Sequence, residues 1–377
     1  MHKKKQYIIK KLKYDTVLEV SKENLAHNLN YFRGLLQPKT KVMVMVKAYG
    51  YGLGPIGLSK FLEEQGVDYL GVANILEGVE IRKAGVKLPI AIMKPELESF
   101  DLVIKHQLTP AIFSLTSLAA FVNTIKTLPV DKNYNIHLKF DTGMHRLGLK
   151  MEKIDEVIKT IQQYPNIIIE SVFSQLSSSD NPDEDNYSLN QIKQFEKMAE
   201  KISTSFNYKI DRHIANSNAI VRFPEAHYDM VRLGIGLLGF AEDETANASL
   251  KNVAVLKTKI AQIHYLQAGE TIGYGRLGKV TKPAVIATIP IGYADGFNRQ
   301  LGNGNWSLIV NGKPAPTIGN ICMDITMIDV TGIECSEEDV ALLFNTKESL
   351  LSLSKVLKTI PYEVFTTISP RVKRDYV

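Results

Sequence analysis

The stretch "KVMVMVKAYGYGLG", residues 41–54, decides how this chain is read. Val42, Met43, Val44, Met45 and Val46 form an almost unbroken apolar run, closed by Lys47 and followed by a glycine-studded turn with Tyr49 and Tyr51. A strand wetted on one face alternates apolar with polar side chains. This run does not, so it reads as a strand buried on both faces, the pattern of a parallel sheet covered by helices. A lysine at the end of such a strand is badly placed for packing. Alone it reads as a strand-end surface residue; its surroundings in sequence give it another reading.

Working outward, "SKENLAHNLNYFRGLL" places Ser21 as a helix N-cap, with Leu25, Leu29, Phe32 and Leu36 at helical spacing until Pro38 breaks the pattern. Downstream, helical stretches such as "GLSKFLEEQG", "EGVEIRKAGV" and "NQIKQFEKMAEKI" alternate with short apolar runs: "DYLGVA", "LPIAIM", "TPAIF", "YNIHLKF", "NIIIESVF", "RHIANS" and "DMVRLGI". About eight strands separated by helices predict an α/β fold, an N-terminal (β/α)8 TIM-like barrel over residues 14–245. A doubly wound open sheet is the alternative architecture. "SSSDNPDEDNYS" reads as a solvated polar connection. Past residue 245, "NVAVLKTKIAQIHYLQ", "AVIATIPIGYADG", "WSLIVNGKPAPTIG" and "CMDITMIDVTG" are strand-like and joined by Gly, Asn and Pro turns. Helical periodicity returns only at "KESLLSLSKVLK". Residues 246–377 therefore read as a separate, mainly β domain.

The bulk properties exclude several classes. The 377 residues allow a large core and two domains, and a formal net charge of +5 is too small and too dispersed to argue for nucleic acid. The basic cluster Lys3, Lys4, Lys5, Lys10, Lys11 and Lys13 reads as a solvated lead-in segment. Two cysteines, Cys322 and Cys335, form neither a disulfide framework nor a zinc spacing, which fits a reducing compartment. No apolar run approaches the roughly 20 residues that span a bilayer. The expectation is a cytoplasmic protein without a membrane segment.

Barrel chemistry gathers at the C-terminal ends of the strands. There the strand assignment places Lys47 after strand one, and Lys139, Asp141 and Arg146 after strand five. Gln175 ends strand six, Asn216 and Ser217 end strand seven, and Arg232 with Gly234 ends strand eight. This ring has no Ser-His-Asp spacing and no His or Cys pair for a metal. Ser217 and the "GIG" at 234–236 could supply hydroxyl and backbone N–H donors to a phosphate, at the position where barrels often bind one. A phosphorylated ligand and a lysine nucleophile suggest pyridoxal phosphate held covalently. A sugar-phosphate aldolase needs the same parts, and composition alone leaves both open.

Seven further stretches, "HLKFDTGMHRLG", "ANSNA", "VRLGIGLLG", "GYG", "IPIGYADG", "ICMDITMIDVTG" and "PYEVFTTISPRVKR", occur in order along the chain. Together with "VKAYGYGLG" they resemble the motifs of bacterial alanine racemases, barrel-type pyridoxal phosphate enzymes. The resemblance implies that Lys47 carries the cofactor and that Tyr51, Asn216, Ser217, Gly234 and Ile235 surround it, chiefly at the phosphate. It puts Arg146 at the cofactor's phenolic oxygen and the substrate carboxylate, and Arg232 at the pyridine nitrogen. Lys139 matches a lysine often carbamylated in the family. Tyr274 would be the second acid/base opposite Lys47, entering with Met323 and Asp324 from the other subunit of a homodimer; Tyr293 would stand near the substrate entrance. The implied reaction is interconversion of L- and D-alanine by two bases, Lys47 and Tyr274, supplying D-alanine for peptidoglycan. A broader-specificity racemase, a related barrel-type decarboxylase of diamino acids, and a non-catalytic cofactor carrier are the alternatives. Gln175, Leu238, Leu53 and Pro370 depart from the usual family pattern, the first where a histidine commonly stacks over the ring. Asp141 and Asp324 are expected to be structural hydrogen-bonders.

Overall fold

Strand one, Lys41–Met45, pairs in parallel with Tyr69–Val72 on one side (Val44 opposite Leu70) and with Met230–Leu233 on the other (Val42 opposite Val231). First and last strands are therefore neighbours. A computed structural model describes residues 14–129 and 131–377, so the basic N-terminal lysines lie outside the described residues. The parallel sheet has eight strands: the three above and Ile90–Ile92, Thr109–Ile112, Tyr134–Lys139, Ile167–Phe173 and Asp211–His213, neighbours in chain order. Between the seventh and eighth, Arg232 N–H donates to Ala215 O at 2.9 Å and Asp229 N–H to Arg212 O at 3.2 Å, which draws the seam together. A doubly wound sheet would carry strand one in the interior with a reversal of order. The sequential order and the one-to-eight pairing make a nearly closed barrel with helices, as the sequence predicts.

The reasons are local. Every residue of strands two, three and four is buried, because helices cover the outside and side chains fill the inside. Met43, Tyr69, Ala91 and Met230 form one apolar layer within, against Met45 and Met93. Helix Lys22–Gly34 starts at Ser21, whose hydroxyl accepts the Asn24 N–H, and it buries Leu25, Leu29 and Phe32. The polar connection ends sooner than its composition suggests: a helix runs over Asp185–Ser203, preceded by a turn at Pro182–Glu184 that Asn181 caps. Asp185 is held there by Arg222 at 2.6 Å, and Ser188 and Gln191 are buried, so the last four residues of the expected loop are helix.

The described residues divide into two units, residues 21–253 and residues 14–20 with 254–377. This differs from the expected division at 245/246 for a defined reason. Val17–Val20 is a strand of the second unit, antiparallel to Ala254–Lys259 and parallel to Lys373–Tyr376. Helix Glu244–Ser249 spans the expected boundary. The second unit is mainly β, with sheets of six, three and two strands. Strands Val340–Phe344 and Lys373–Tyr376 and helix Pro361–Thr366 add to the elements expected from sequence.

Leu18 is fully buried in the second unit's six-stranded sheet. Trp306, the single tryptophan, lies in the same unit and donates its indole N–H to Leu343 O at 3.0 Å. Leu18→Ala is expected to cost about 2–5 kcal/mol. The urea transition followed by Trp306 fluorescence will move to lower denaturant, although the substitution lies far from the tryptophan in sequence.

Candidate active site

Lys47 ends strand one, and the backbone then does something costly. Ala48, Tyr49, Gly50 and Tyr51 all have left-handed φ, from +51° to +64°, with Gly52 at +81°. For a residue with a Cβ this conformation costs about 1–2 kcal/mol. Local bonds hold it: Gly50 N–H to Val46 O (2.9 Å), Gly52 N–H to Ala48 O (3.1 Å) and Gly54 N–H to Tyr49 O (2.9 Å). A further bond comes from outside, since Ala48 N–H donates to the Glu77 carboxylate at 2.7 Å. The turn directs the chain so that Tyr51 is buried beside Gly234. A Cβ on Gly234 would stand 3.0 Å from the Tyr51 hydroxyl, so glycine keeps that space open.

Across from Tyr51, Ser217 begins the short helix after strand seven. Its hydroxyl oxygen accepts two N–H groups, from Gly234 (2.9 Å) and Gly236 (3.2 Å). Ile235 lies between them and is buried. Asn216 is the N-cap of the same helix; its amide oxygen accepts the Ala219 N–H (3.1 Å) and the Ser179 hydroxyl (2.9 Å). Asn216 thus orients Ser217. Burial pushes the Tyr51 phenol up to about 12, with the positive Arg232 opposing. Both hydroxyls are neutral donors and acceptors at neutral pH.

Arg232 is the most constrained residue in the barrel mouth. Its side chain is buried, and Nη1 donates to His213 Nδ1 (2.8 Å) and His213 O (3.2 Å). Nη2 donates to Ser174 O (2.6 Å), Ile214 O (2.9 Å) and Gln175 Oε1 (3.2 Å). These are neutral acceptors, so burial pulls the guanidinium down to about 10. Its Nε–H has no protein acceptor among the described residues.

Lys139, at the end of strand five, is buried beside the Phe173 ring, 5.8 Å from its centroid, and Arg232 lies 5.5 Å from the same ring. Burial lowers Lys139 to about 8, helped by Arg146, Arg232 and Lys47. The Lys47 amine is lowered by burial first, then by Arg146 and Arg232, and is raised by Glu77. Lys47, Lys139, Arg146 and Arg232 therefore share one electrostatic neighbourhood, as the strand-end argument predicts. Asp141 accepts the Gly143 N–H (3.1 Å) and the His145 N–H (2.9 Å), which folds the "DTGMHRLG" turn carrying Arg146.

Tyr274, Tyr293 and Met323 belong to the second unit. All three side chains are exposed, Tyr274 by 74%. Tyr274 follows Gly273 (φ +70°) at the tip of a turn, and its carbonyl accepts the Asn320 amide at 3.2 Å. Tyr293 N–H donates to Cys322 O and Ala294 N–H to Met323 O, both at 3.0 Å. These bonds bring the "GYADG" and "CMD" turns so close that a Cβ on Gly292 would fall 2.3 Å from Met323 O. Asp324 is held by Arg371 at 2.8 Å, and Arg371 also pairs with Asp295 at 3.3 Å.

Three groups in the barrel escape a strand-end search. His213, Ser171 and His137 continue inward from Arg232: Ser171 Oγ lies 2.9 Å from His213 Nε2 and 2.5 Å from His137 Nδ1. Because arginine only donates, His213 Nδ1 must accept, its Nε2–H donates to Ser171, and the serine proton goes to His137. Burial holds His213 well below the usual imidazole range and His137 down to about 4, so both are neutral at pH 7. The visible signal was His137 two residues before Lys139, hence on the same face of the strand. Glu77 also escaped notice.

The barrel residues fit a cofactor with an aldehyde, a phosphate and a pyridine nitrogen. They include the half-buried Lys47 amine of lowered basicity, a hydroxyl pair beside a glycine-kept space, and a guanidinium N–H without a protein acceptor among the described residues. The class these features define is the barrel enzyme built on a strand-end lysine. Residues 20–242 match the family description "Alanine racemase, N-terminal domain" and residues 253–376 "Alanine racemase, C-terminal domain". Alanine racemase 1 of Oceanobacillus iheyensis is 35% identical over 374 residues, covering 96% of this chain and 98% of that one. The solved alanine racemase of Clostridium difficile 630 superposes with TM-score 0.91 at 32% identity, covering 97% of each chain. An alanine racemase of Bartonella henselae, solved with covalently bound pyridoxal phosphate, shares the fold at TM-score 0.84 and 24% identity, covering 97% of this chain and all of that one. The chain belongs to the alanine racemase family, whose members are pyridoxal phosphate enzymes.

Ser171→Ala removes the single hydroxyl between two buried imidazoles. It is expected to cost about 1–3 kcal/mol, because His213 Nε2–H and His137 Nδ1 lose their partner together. Chemical denaturation measures the cost, and 15N shifts of the His213 ring report whether its tautomer is preserved.

Proposed function

We propose that this chain interconverts L- and D-alanine with bound pyridoxal phosphate, using Lys47 and Tyr274 as bases on opposite faces of the substrate. The observation that carries the reading is the half-buried Lys47 amine at the end of strand one, its basicity lowered by burial and by Arg146 and Arg232, with Lys139 in the same neighbourhood. An ordinary lysine is protonated at neutral pH, and lowering its basicity moves it toward the form that can accept a proton. When bound, pyridoxal phosphate supplies an electron sink that acidifies the α-C–H bond of an amino acid joined to it.

The chain's own groups do the rest. Ser217, Tyr51 and the N–H groups around Gly234 and Ile235 bind the phosphate, with Asn216 fixing the serine. Arg232 would offer its Nε–H to the ring nitrogen and, because arginine does not readily give up that proton, would leave the bound cofactor a weaker electron sink. Arg146 grips the substrate carboxylate. In the D-to-L direction Lys47 Nζ takes the α-proton and the Tyr274 hydroxyl returns one on the other face; the reverse direction swaps the roles. Carbamylation of Lys139, in which the neutral amine adds carbon dioxide and loses a proton, would place an anion among these cations. Its lowered basicity near pH 8 favours that step.

Tyr274 is exposed together with Leu277, Met323, Tyr293 and Ile325, a largely apolar set on the second unit. A homodimer in which a second copy supplies Tyr274 would cover it. Tyr293 and Met323 then shape the substrate entrance. Cytoplasmic D-alanine supply for peptidoglycan is the corresponding role. Among the described residues no helix is long and apolar enough to cross a membrane.

In deuterated water with pyridoxal phosphate, the protein is expected to racemise alanine and exchange its α-proton. Tyr274→Phe should slow racemisation by about 100-fold or more. It should abolish α-exchange of L-alanine while D-alanine still exchanges through Lys47. Alanine that keeps its handedness, or a diamino acid that loses carbon dioxide, would overturn the proposal. Carbon-13 bicarbonate should give a carbamate resonance that Lys139→Ala lacks.

A further inference from the structure

Glu77 is the third residue of helix Ile75–Lys83, whose N-cap is Asn74. A glutamate there ordinarily turns back to the N–H of the cap residue itself. Glu77 does not. One carboxylate oxygen accepts the Ala73 N–H at 2.8 Å, at the end of strand two, and the other accepts the Ala48 N–H at 2.7 Å, in the turn after Lys47. The N-terminal turn of that helix is served instead by Asn74, which accepts the Glu77 N–H (3.0 Å), and by Glu96, which accepts the Ile75 N–H (3.2 Å). The carboxylate is thus committed to joining two strand ends rather than to capping. Lys47 is faced by Arg146, Arg232 and Lys139, and Glu77 is the anion acting on it among the described residues.

We propose that Glu77 is a positioning residue for the lysine: it pins the left-handed turn that fixes the direction of Lys47 and supplies the negative charge that offsets the cations around its amine. This deepens the racemase reading and rests on it for the purpose of the lysine. The clamp itself is a statement about the protein alone. Two charge-assisted bonds to backbone N–H groups are strong enough to hold a backbone region that its residues disfavour. Without the carboxylate the turn relaxes, and the amine faces only cations.

The test uses the full-length chain freed of cofactor. Acetic anhydride labelling of Lys47 across pH, read by peptide mass spectrometry, gives the titration of the amine; fluorescence titration gives pyridoxal phosphate affinity. Removing a carboxylate destabilises the protonated amine, so Glu77→Gln should move the Lys47 midpoint to lower pH. It should also weaken cofactor binding on the order of tenfold. Glu96→Gln, which touches the same helix end but not Ala48, should change neither. An unmoved midpoint in Glu77→Gln, or equal effects in both variants, overturns the proposal. Should Glu77→Gln fail to fold, Glu77→Asp keeps the charge but is too short to join both N–H groups. It should then leave the midpoint near that of the unaltered chain and still weaken the cofactor, and unchanged affinity would overturn the clamp. If the unaltered chain binds no pyridoxal phosphate while Glu77→Gln still moves the midpoint, the racemase reading falls and the positioning role stands.

Discussion

The guanidinium of Arg232 is the constraint on which the barrel mouth depends. It is buried with no carboxylate paired to it among the described residues, and a lone buried charge is expensive unless its donors are satisfied. Satisfaction comes from the carbonyls of Ser174, His213 and Ile214 and from the side chains of His213 and Gln175. The ends of strands six, seven and eight are therefore held in one geometry by one side chain. The Arg232 backbone N–H, bonded to Ala215, draws the seam together at the same point. The barrel thus carries a cation at its mouth, and that cation acts on both Lys47 and Lys139.

From that follows the behaviour of the two lysines. Neither Lys47 nor Lys139 can be buried close to Arg232 and Arg146 without losing basicity. Packing alone would replace such lysines with leucine or methionine, which the neighbouring interior layer of Met43, Met45, Met93 and Met230 already uses. That amines stand there instead is a cost to folding that chemistry must justify. The neutral imidazole of His213 fits the same logic: as an acceptor toward Arg232 it cannot also be protonated, so the chain through Ser171 to His137 adds no further positive charge.

The barrel was legible because both of its periods are written locally: short, mostly apolar strands of three to seven residues, helices between them, and polar residues at the strand ends. Lys47, Lys139, Arg146, Ser217 and Arg232 followed from position alone. Contacts that join distant segments were not legible. Val17–Val20 looks like a lead-in to the first helix, and only its pairing with Ala254–Lys259 and Lys373–Tyr376 assigns it to the second unit. Glu77 looks like an ordinary glutamate in a helix's first turn, and nothing in its neighbours announces that its carboxylate reaches Ala48. Ser171 is a small residue in an apolar strand, and its importance lies in having a histidine on either side in space. Asp185 to Ser188 reads as loop by composition because the polar residues that helix buries, Ser188 among them, are hidden from a hydrophobic pattern.

A racemase must deliver protons to two faces of one carbon, and this geometric demand explains why the candidate residues divide as they do. The strand ends of a barrel all approach a ligand from below, so a single mouth offers acid/base groups on one side. Lys47 is such a group, locked by a turn whose every residue from Ala48 to Tyr51 is left-handed. In the two-base reading proposed above, the base for the other side comes from a second copy of the chain. Tyr274 has the opposite character: an exposed phenol at the tip of a turn, beside glycines at 273 and 275 whose φ values of +70° and +69° let the chain project it outward. On that proposal, a locked strand end suits the group that holds the cofactor, and projection suits the one that reaches it.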